Sequence, residues 1–138
     1  MNTCKFHLRA SWFFQLVAAA ILAQTLVFKF TGAEESRFIF STLGVEPWGR
    51  LVTGFLELVA VVLLLTPRWA AWGGVLSLGL MAGAILGHLT RLGLVVRNDG
   101  GLLFCLATTV FLSAAIVVWL RRTQLPFLGT IQPGSCRV

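Results

Sequence analysis

The polar residues of this chain are bunched, and the stretches between the bunches are long. Arg9 to Lys29 encloses 19 uncharged residues, Arg68 to Arg91 encloses 22 and Asp99 to Arg121 encloses 21. A fourth interval, Arg50 to Arg68, holds 17 residues interrupted only by Glu57. A helix rises about 1.5 Å per residue, so roughly 20 apolar residues cross the ~30 Å hydrocarbon core of a bilayer. Spanning barrel strands would instead alternate in polarity over ~9–11 residues, which these continuous runs do not do. The pattern predicts an all-α, integral membrane four-helix bundle with helices over about 11–30, 47–65, 67–89 and 100–120.

The connecting segments refine this picture. Thr31 and Glu34 have capping-box spacing, and Phe38, Ile39, Phe40 and Leu43 precede Gly44, which predicts a short interfacial helix between the first two crossings. Thr66-Pro67-Arg68 reads as a tight turn with a hydroxyl cap before the third helix. Asn98-Asp99-Gly100-Gly101 supplies turn and cap chemistry for the fourth. Residues 1–122 form one domain on this reading, and 123–138, with Pro126, Gly129, Pro133 and Gly134, are expected to be a disordered cytoplasmic tail.

Composition agrees. Of 138 residues 57% are hydrophobic and 12% charged, against roughly 25% charged in a soluble domain. The length leaves no room for a separate catalytic module of ~100 residues. The formal charge of +6 does not indicate nucleic acid, because Lys and Arg sit at segment ends rather than in a dense patch; anionic headgroups suit them better. Cys4, Cys105 and Cys136 form no CxxC and no metal-ligand spacing, so they read as free thiols and no metal site is expected.

Trp12, Trp48, Trp69, Trp72 and Trp119 all fall near helix ends, where indole rings prefer the headgroup boundary. The positive-inside count is nearly even: Lys5, Arg9, Arg68, Arg121, Arg122 and Arg137 face Lys29, Arg37, Arg50, Arg91 and Arg97. The expected location is a prokaryotic inner membrane with both termini cytoplasmic. Lys5 and Arg9 before Ala18-Ala19-Ala20 resemble a signal peptide, but the apolar run is about twice an ordinary h-region, which favours a retained helix. Cleavage would leave three crossings.

Glu57 is the most informative single residue. A carboxylate at mid-membrane costs several kcal/mol when charged and lipid-facing, so it is expected to face inward. Arg50, Thr53, Gly54 and Glu57 recur at i, i+3, i+4 and i+7 and define one polar stripe. By depth, Gln24, Lys29 and His88 lie toward the same outer level, giving a candidate cluster of Gln24, Lys29, Arg50, Thr53, Glu57 and His88 that binds a ligand or relays a proton. The bland reading of Glu57 is a buried pair fixing helix register, and that of Lys29, Arg50 and His88 is helix-end polar groups at the headgroups. Gly79, Gly83 and Gly87, four residues apart, mark a close-packing helix face, either inside the bundle or at a homodimer seam. No phosphate loop, nucleophile elbow, paired carboxylate or haem-ligating His pair occurs, so no self-contained catalytic motif is present.

The first-helix end TLVFKFTG, the run FIFSTLGVEPWGR, the pattern GFLELVAVVLLL with its Pro-Arg turn, GLMAGAILGHLTRLG and NDGGLLF together resemble the DoxX family over about Leu16 to Leu120. The resemblance implies a small four-helix membrane bundle and matches Lys29, Glu57 and His88 to polar family positions. It also implies association with membrane oxidoreductase assemblies, including quinone-linked ones. This chain lacks the cysteine pair of related thiol-redox membrane proteins, which argues against disulfide exchange. The leading expectation is an accessory, non-enzymatic subunit of a quinone-linked redox complex, with an oxidoreductase partner and quinone as the ligand. The alternatives are a small proton-coupled transporter or channel, built as a homo-oligomer, and a purely structural assembly protein.

Overall fold

The computed structural model describes residues 2–126. Four long helices run up and down: α1 (Asn2–Thr31), α3 (Trp48–Leu65), α4 (Ala70–Gly87) and α5 (Leu102–Leu120). The short α2 (Glu34–Thr42) lies between the first two, a π-helical turn (His88–Leu92) extends α4, and a 3-10 turn (Arg122–Gln124) follows α5. No strand occurs among the described residues. Each long helix carries a stretch long and apolar enough to cross a membrane. The expected helices are thus present, with α1 reaching nine residues further toward the N-terminus than the apolar run required.

The four helices form a closed ring. α1 packs on α3 and α5, and α4 packs on the same two, so α1 and α4 stand on one diagonal and α3 and α5 on the other. Ala18, Leu22, Ala60, Leu64, Met81, Val110 and Val117 meet at the centre. Many large apolar side chains point outward, including Phe13, Val62, Leu86 and Leu112. That inversion fits a lipid solvent, in which helices associate by close packing of small residues rather than by hiding apolar surface.

The close-packing glycines are Gly73 and Gly74, not the expected set. A Cβ on Gly73 would stand 2.5 Å from the backbone nitrogen of Leu64, and one on Gly74 would stand 2.8 Å from Val118 Cγ2 and 3.2 Å from the Ala114 carbonyl. Ala70, Ala71, Ser77 and Met81 complete the buried face of α4. Gly79 and Gly83 are exposed, with nothing within 4 Å of an added Cβ, and Gly87 meets only Leu43 and Leu92 side chains at 3.8 Å. Gly79 and Gly83 therefore do not pack inside the bundle. Their spacing places them on a common face, but α4 turns that face away from its neighbours.

Capping also departs from expectation at two sites. Thr31 Oγ1 donates back to the Val27 carbonyl, and α2 starts after Ala33 with no side-chain cap, so the Thr31–Glu34 capping box does not form. Thr66 Oγ1 donates to the Val62 carbonyl, terminating α3 rather than starting α4, whose N-cap is Trp69. A hydroxyl in a helix's last turn satisfies the carbonyl one turn behind it, and that local bond wins at both threonines. Within α2, Phe40 is buried and Phe38 exposed, so only part of its aromatic content faces outward.

Asp99 behaves as its neighbours predict. Its carboxylate accepts from the backbone N–H groups of Val96 (2.8 Å), Gly101 (2.9 Å) and Leu103 (3.0 Å), the last inside the first turn of α5. Gly101 takes φ +84°, a left-handed conformation natural to glycine, and so lets the chain double back under this carboxylate. Burial raises the carboxyl's pKa, but the three N–H donors together with the charge of His88 outweigh it and hold Asp99 below its ordinary value. Asp99→Ala is expected to cost about 1–2 kcal/mol, measured by unfolding in detergent. Because the folded-state pKa is lowered, the carboxylate's contribution is fully present above about pH 4 and lost as pH falls through the folded value. The wild type should therefore lose its advantage over Asp99→Asn in acid; an advantage that persists there would contradict the capping role.

The ordered chain continues past the boundary expected at 122. Gln124 Nε2 donates to the Pro67 carbonyl at 2.6 Å, its Oε1 accepts from Ala71 N–H at 3.1 Å, and Leu125 is buried. The remainder of the expected tail, 127–138, lies outside the described residues.

Candidate functional site

Glu57 stands on the inward stripe of α3, in phase with the buried Arg50, Gly54, Ala60 and Leu64. It is 2% exposed, and both its oxygens are engaged. Lys29 Nζ forms an ion pair with Oε1, and Thr25 Oγ1 donates to Oε2 at 3.1 Å. Thr25 also lies 2.8 Å from its own helix's Leu22 carbonyl, so its single proton is shared between two acceptors. α1 thus presents two groups, one turn apart, to one carboxylate on α3. Gly54 faces the same surface of α1: a Cβ there would make ordinary contacts with Lys29 Cβ at 3.6 Å and the Phe30 ring at 3.5 Å.

A second pair stands one step nearer the α2 end. Arg50 Nε donates to Glu46 Oε1 at 2.8 Å, and Arg50 Nη1 donates to the backbone carbonyl of Lys29. The last turn of α1 leaves its carbonyls without intrahelical partners, and Arg50 satisfies one of them while tying α1 to the start of α3. Glu46 Oε2 is buried without a hydrogen-bond partner. The result is a continuous polar series, Glu46–Arg50–Lys29–Glu57–Thr25, leading from the α2 end toward mid-membrane. Within the ion pair Glu57 is sealed, and the Lys29 side chain keeps 16% of its surface accessible.

The other expected members lie elsewhere. Gln24 is exposed on α1, one position out of phase with Thr25, which takes its place. Thr53 Oγ1 bonds to the Gly49 and Arg50 carbonyls of its own helix. His88 is buried in the π-turn, with Nδ1 2.9 Å from the Gly93 carbonyl and its ring edge-on to Phe104 at 5.7 Å between centroids. A carbonyl only accepts, so Nδ1 carries the proton in that bond. No hydrogen bond or ion pair joins His88 to Glu57. The six expected residues therefore divide: Lys29, Arg50 and Glu57 come together, His88 forms a separate clasp between α4 and α5, and Gln24 and Thr53 stand apart.

Sequence reasoning missed Thr25 and Glu46, although both carry a usable signal. Thr25 precedes Lys29 by four residues and Glu46 precedes Arg50 by four, the spacing that stacks side chains on one helical face. Among the described residues no three of His, Cys, Asp and Glu are placed to hold a metal ion, and Cys105 is a free thiol on α5. The side chain of Cys4 and all of Cys136 lie outside the described residues.

Four apolar helices in a ring, with a Lys–Glu pair bridging two of them, define a small multi-pass membrane protein. The model of the DoxX-like family matches residues 13–111, most of the chain and every element of the polar series. The chain belongs to the DoxX-like family. No curated protein and no solved structure gives a significant match.

Proposed function

We propose that this chain is an accessory subunit of a quinone-linked redox assembly in a prokaryotic inner membrane, with both termini cytoplasmic and the Lys29–Glu57 pair as its point of ligand contact. The observation that carries the proposal is the difference in access within the pair. Glu57 is buried and bonded by Thr25, whereas Lys29 keeps part of its side chain accessible and retains ammonium protons beyond the one given to Glu57. A quinone headgroup has carbonyl oxygens that accept such a donor, and its reduction requires protons. Lys29 would orient a carbonyl and deliver a proton, Glu57 would hold the ammonium in place, and the electrons would come from an oxidoreductase partner.

In native membranes, Glu57→Gln and Lys29→Gln are expected to lower quinone reduction by the assembly at least about 100-fold at normal protein level, the lower end of the scale for a positioned proton donor. Unchanged quinone turnover in both variants would overturn the proposal. One observation favours a structural alternative: both oxygens of Glu57 already have partners. If the pair only fixes register, the uncharged double variant Lys29→Met/Glu57→Leu will retain full activity once folded; the redox reading expects it to be folded and inactive.

A further inference from the structure

The two ends of the bundle hold opposite charge balances, which a count of bases along the sequence does not reveal. At the α2 end stand Lys29, Arg37, Arg50, Arg91 and Arg97, with all five acids of the chain on or below that surface. Three of those bases are consumed in ion pairs: Lys29 with Glu57, Arg50 with Glu46, and Arg97 with Glu34. At the opposite end, where α1 starts and α5 stops, stand Lys5, Arg9, Arg68 and Arg121, with no Asp or Glu beside them among the described residues. Lys5 and Arg9 are four residues apart on α1, both exposed, and Arg68 is exposed in the α3–α4 turn.

Arg121 strengthens the asymmetry from within. It is 6% exposed, donates from Nε to Ser11 Oγ at 2.9 Å and from Nη1 to the Pro67 carbonyl at 3.1 Å, and its Nη2 has no hydrogen-bond partner. Burial lowers its pKa, yet a guanidinium stays charged in proteins. Neutral oxygens hold it in place and no carboxylate cancels it. These contacts bring α1, the α3–α4 turn and α5 to one level, and by helical rise Lys5 lies about 9 Å beyond Ser11. Around the same end the rings of Trp69, Trp72 and Trp119 are exposed, with Arg122 stacked over Trp119 at 5.5 Å, as at a headgroup boundary.

We infer that the end bearing Lys5, Arg9 and Arg68 is a docking surface for anionic phospholipid headgroups, and that the α2 end is not. Charge complementarity selects the partner: among the described residues no carboxylate pairs with Lys5, Arg9 or Arg68, and the exposed indoles beside them suit the headgroup layer. An acidic protein would meet the same charges but would not supply the headgroup layer that the exposed indoles prefer. The inference does not depend on the quinone proposal.

The test uses the full chain reconstituted in phosphatidylcholine vesicles with spin-labelled phosphatidylglycerol or phosphatidylcholine as probe. Each basic side chain near an anionic lipid changes association about five-fold. Wild type should prefer phosphatidylglycerol by about that factor or more, the preference should weaken in high salt, and Lys5→Gln/Arg9→Gln/Arg68→Gln should reduce it several-fold. Arg37→Gln/Arg91→Gln, at the α2 end, should leave it unchanged. The substituted side chains are exposed, and the salt dependence of wild type alone tests the surface should a variant misfold. Equal affinity of wild type for both lipids, or loss of preference in the Arg37/Arg91 variant, would overturn the inference. So would capture of an acidic protein that the triple variant abolishes while lipid preference is absent.

Discussion

Lys29→Met is expected to be the most damaging single substitution in the polar series, lowering stability by about 3–5 kcal/mol, the cost of leaving a buried charge without its partner. The remaining Glu57 would be 2% exposed at the middle of α3 with only the Thr25 hydroxyl beside it. The reciprocal change, Glu57→Leu, should cost less, about 1–2 kcal/mol. Lys29 sits near the end of α1 on a flexible four-carbon stem, and its side chain is already partly accessible, so without Glu57 it can extend toward the headgroups. The double variant Lys29→Met/Glu57→Leu should recover most of the loss, because replacing a buried pair by apolar groups removes both desolvation costs together. Unfolding of all four proteins in the same mixed micelles measures these differences and their coupling. Equal or reversed single-variant costs would show that the two ends of the pair are equally sealed. A double variant as unstable as the sum of the singles would show that the pair does not act as a unit.

Gly73→Ala should be nearly as harmful, through packing rather than charge. The new methyl would stand 2.5 Å from Leu64 N and 2.9 Å from Leu63 C. Both neighbours are helix backbone, so relief requires α3 and α4 to separate. Overpacking of this kind costs typically 1–3 kcal/mol, and two rigid backbones put Gly73 at about the upper figure. The gain in helix propensity on replacing glycine by alanine, about 0.5–1 kcal/mol, opposes this and is too small to win. At Gly79 and Gly83 nothing lies within 4 Å, so alanine there should be neutral or slightly stabilising in the monomer. Thermal unfolding of Gly73→Ala and Gly79→Ala side by side decides the matter; a Gly73→Ala protein as stable as wild type would mean that the α3–α4 crossing yields easily.

These two cases also show what was legible in the sequence. The spans were legible because membrane length and charge spacing are one-dimensional: Arg68 to Arg91 is about one bilayer whatever the helix touches. Glu57 was legible for the same reason, since a mid-span acid must face inward. Phase was harder. Gln24 and Thr25 differ by one position, about 100° of helix rotation, and only the docked α3 chooses between them. The glycines show the same difficulty: Gly79, Gly83 and Gly87 have the regular spacing, whereas the close contacts fall on the adjacent pair Gly73–Gly74, whose partners lie on two different helices. His88 was expected at the level of the Glu57 cluster, and depth alone did not say that its partner would be the Gly93 carbonyl across a π-turn.

The bond from Arg121 to Ser11 joins residues 110 apart, the start of the first crossing and the end of the last. Synthesis runs from the N-terminus, so Ser11 and Gln15 enter the bilayer early and stay on an open flank of α1 while α3 and α4 assemble. A chain halted before Leu102 would hold three crossings and leave uncovered by α5 a hydroxyl and a carboxamide that are fully covered in the finished ring. That exposed polar seam would distinguish an unfinished protein from a complete one, and a membrane protease that extracts chains with polar groups in lipid would remove the first and spare the second.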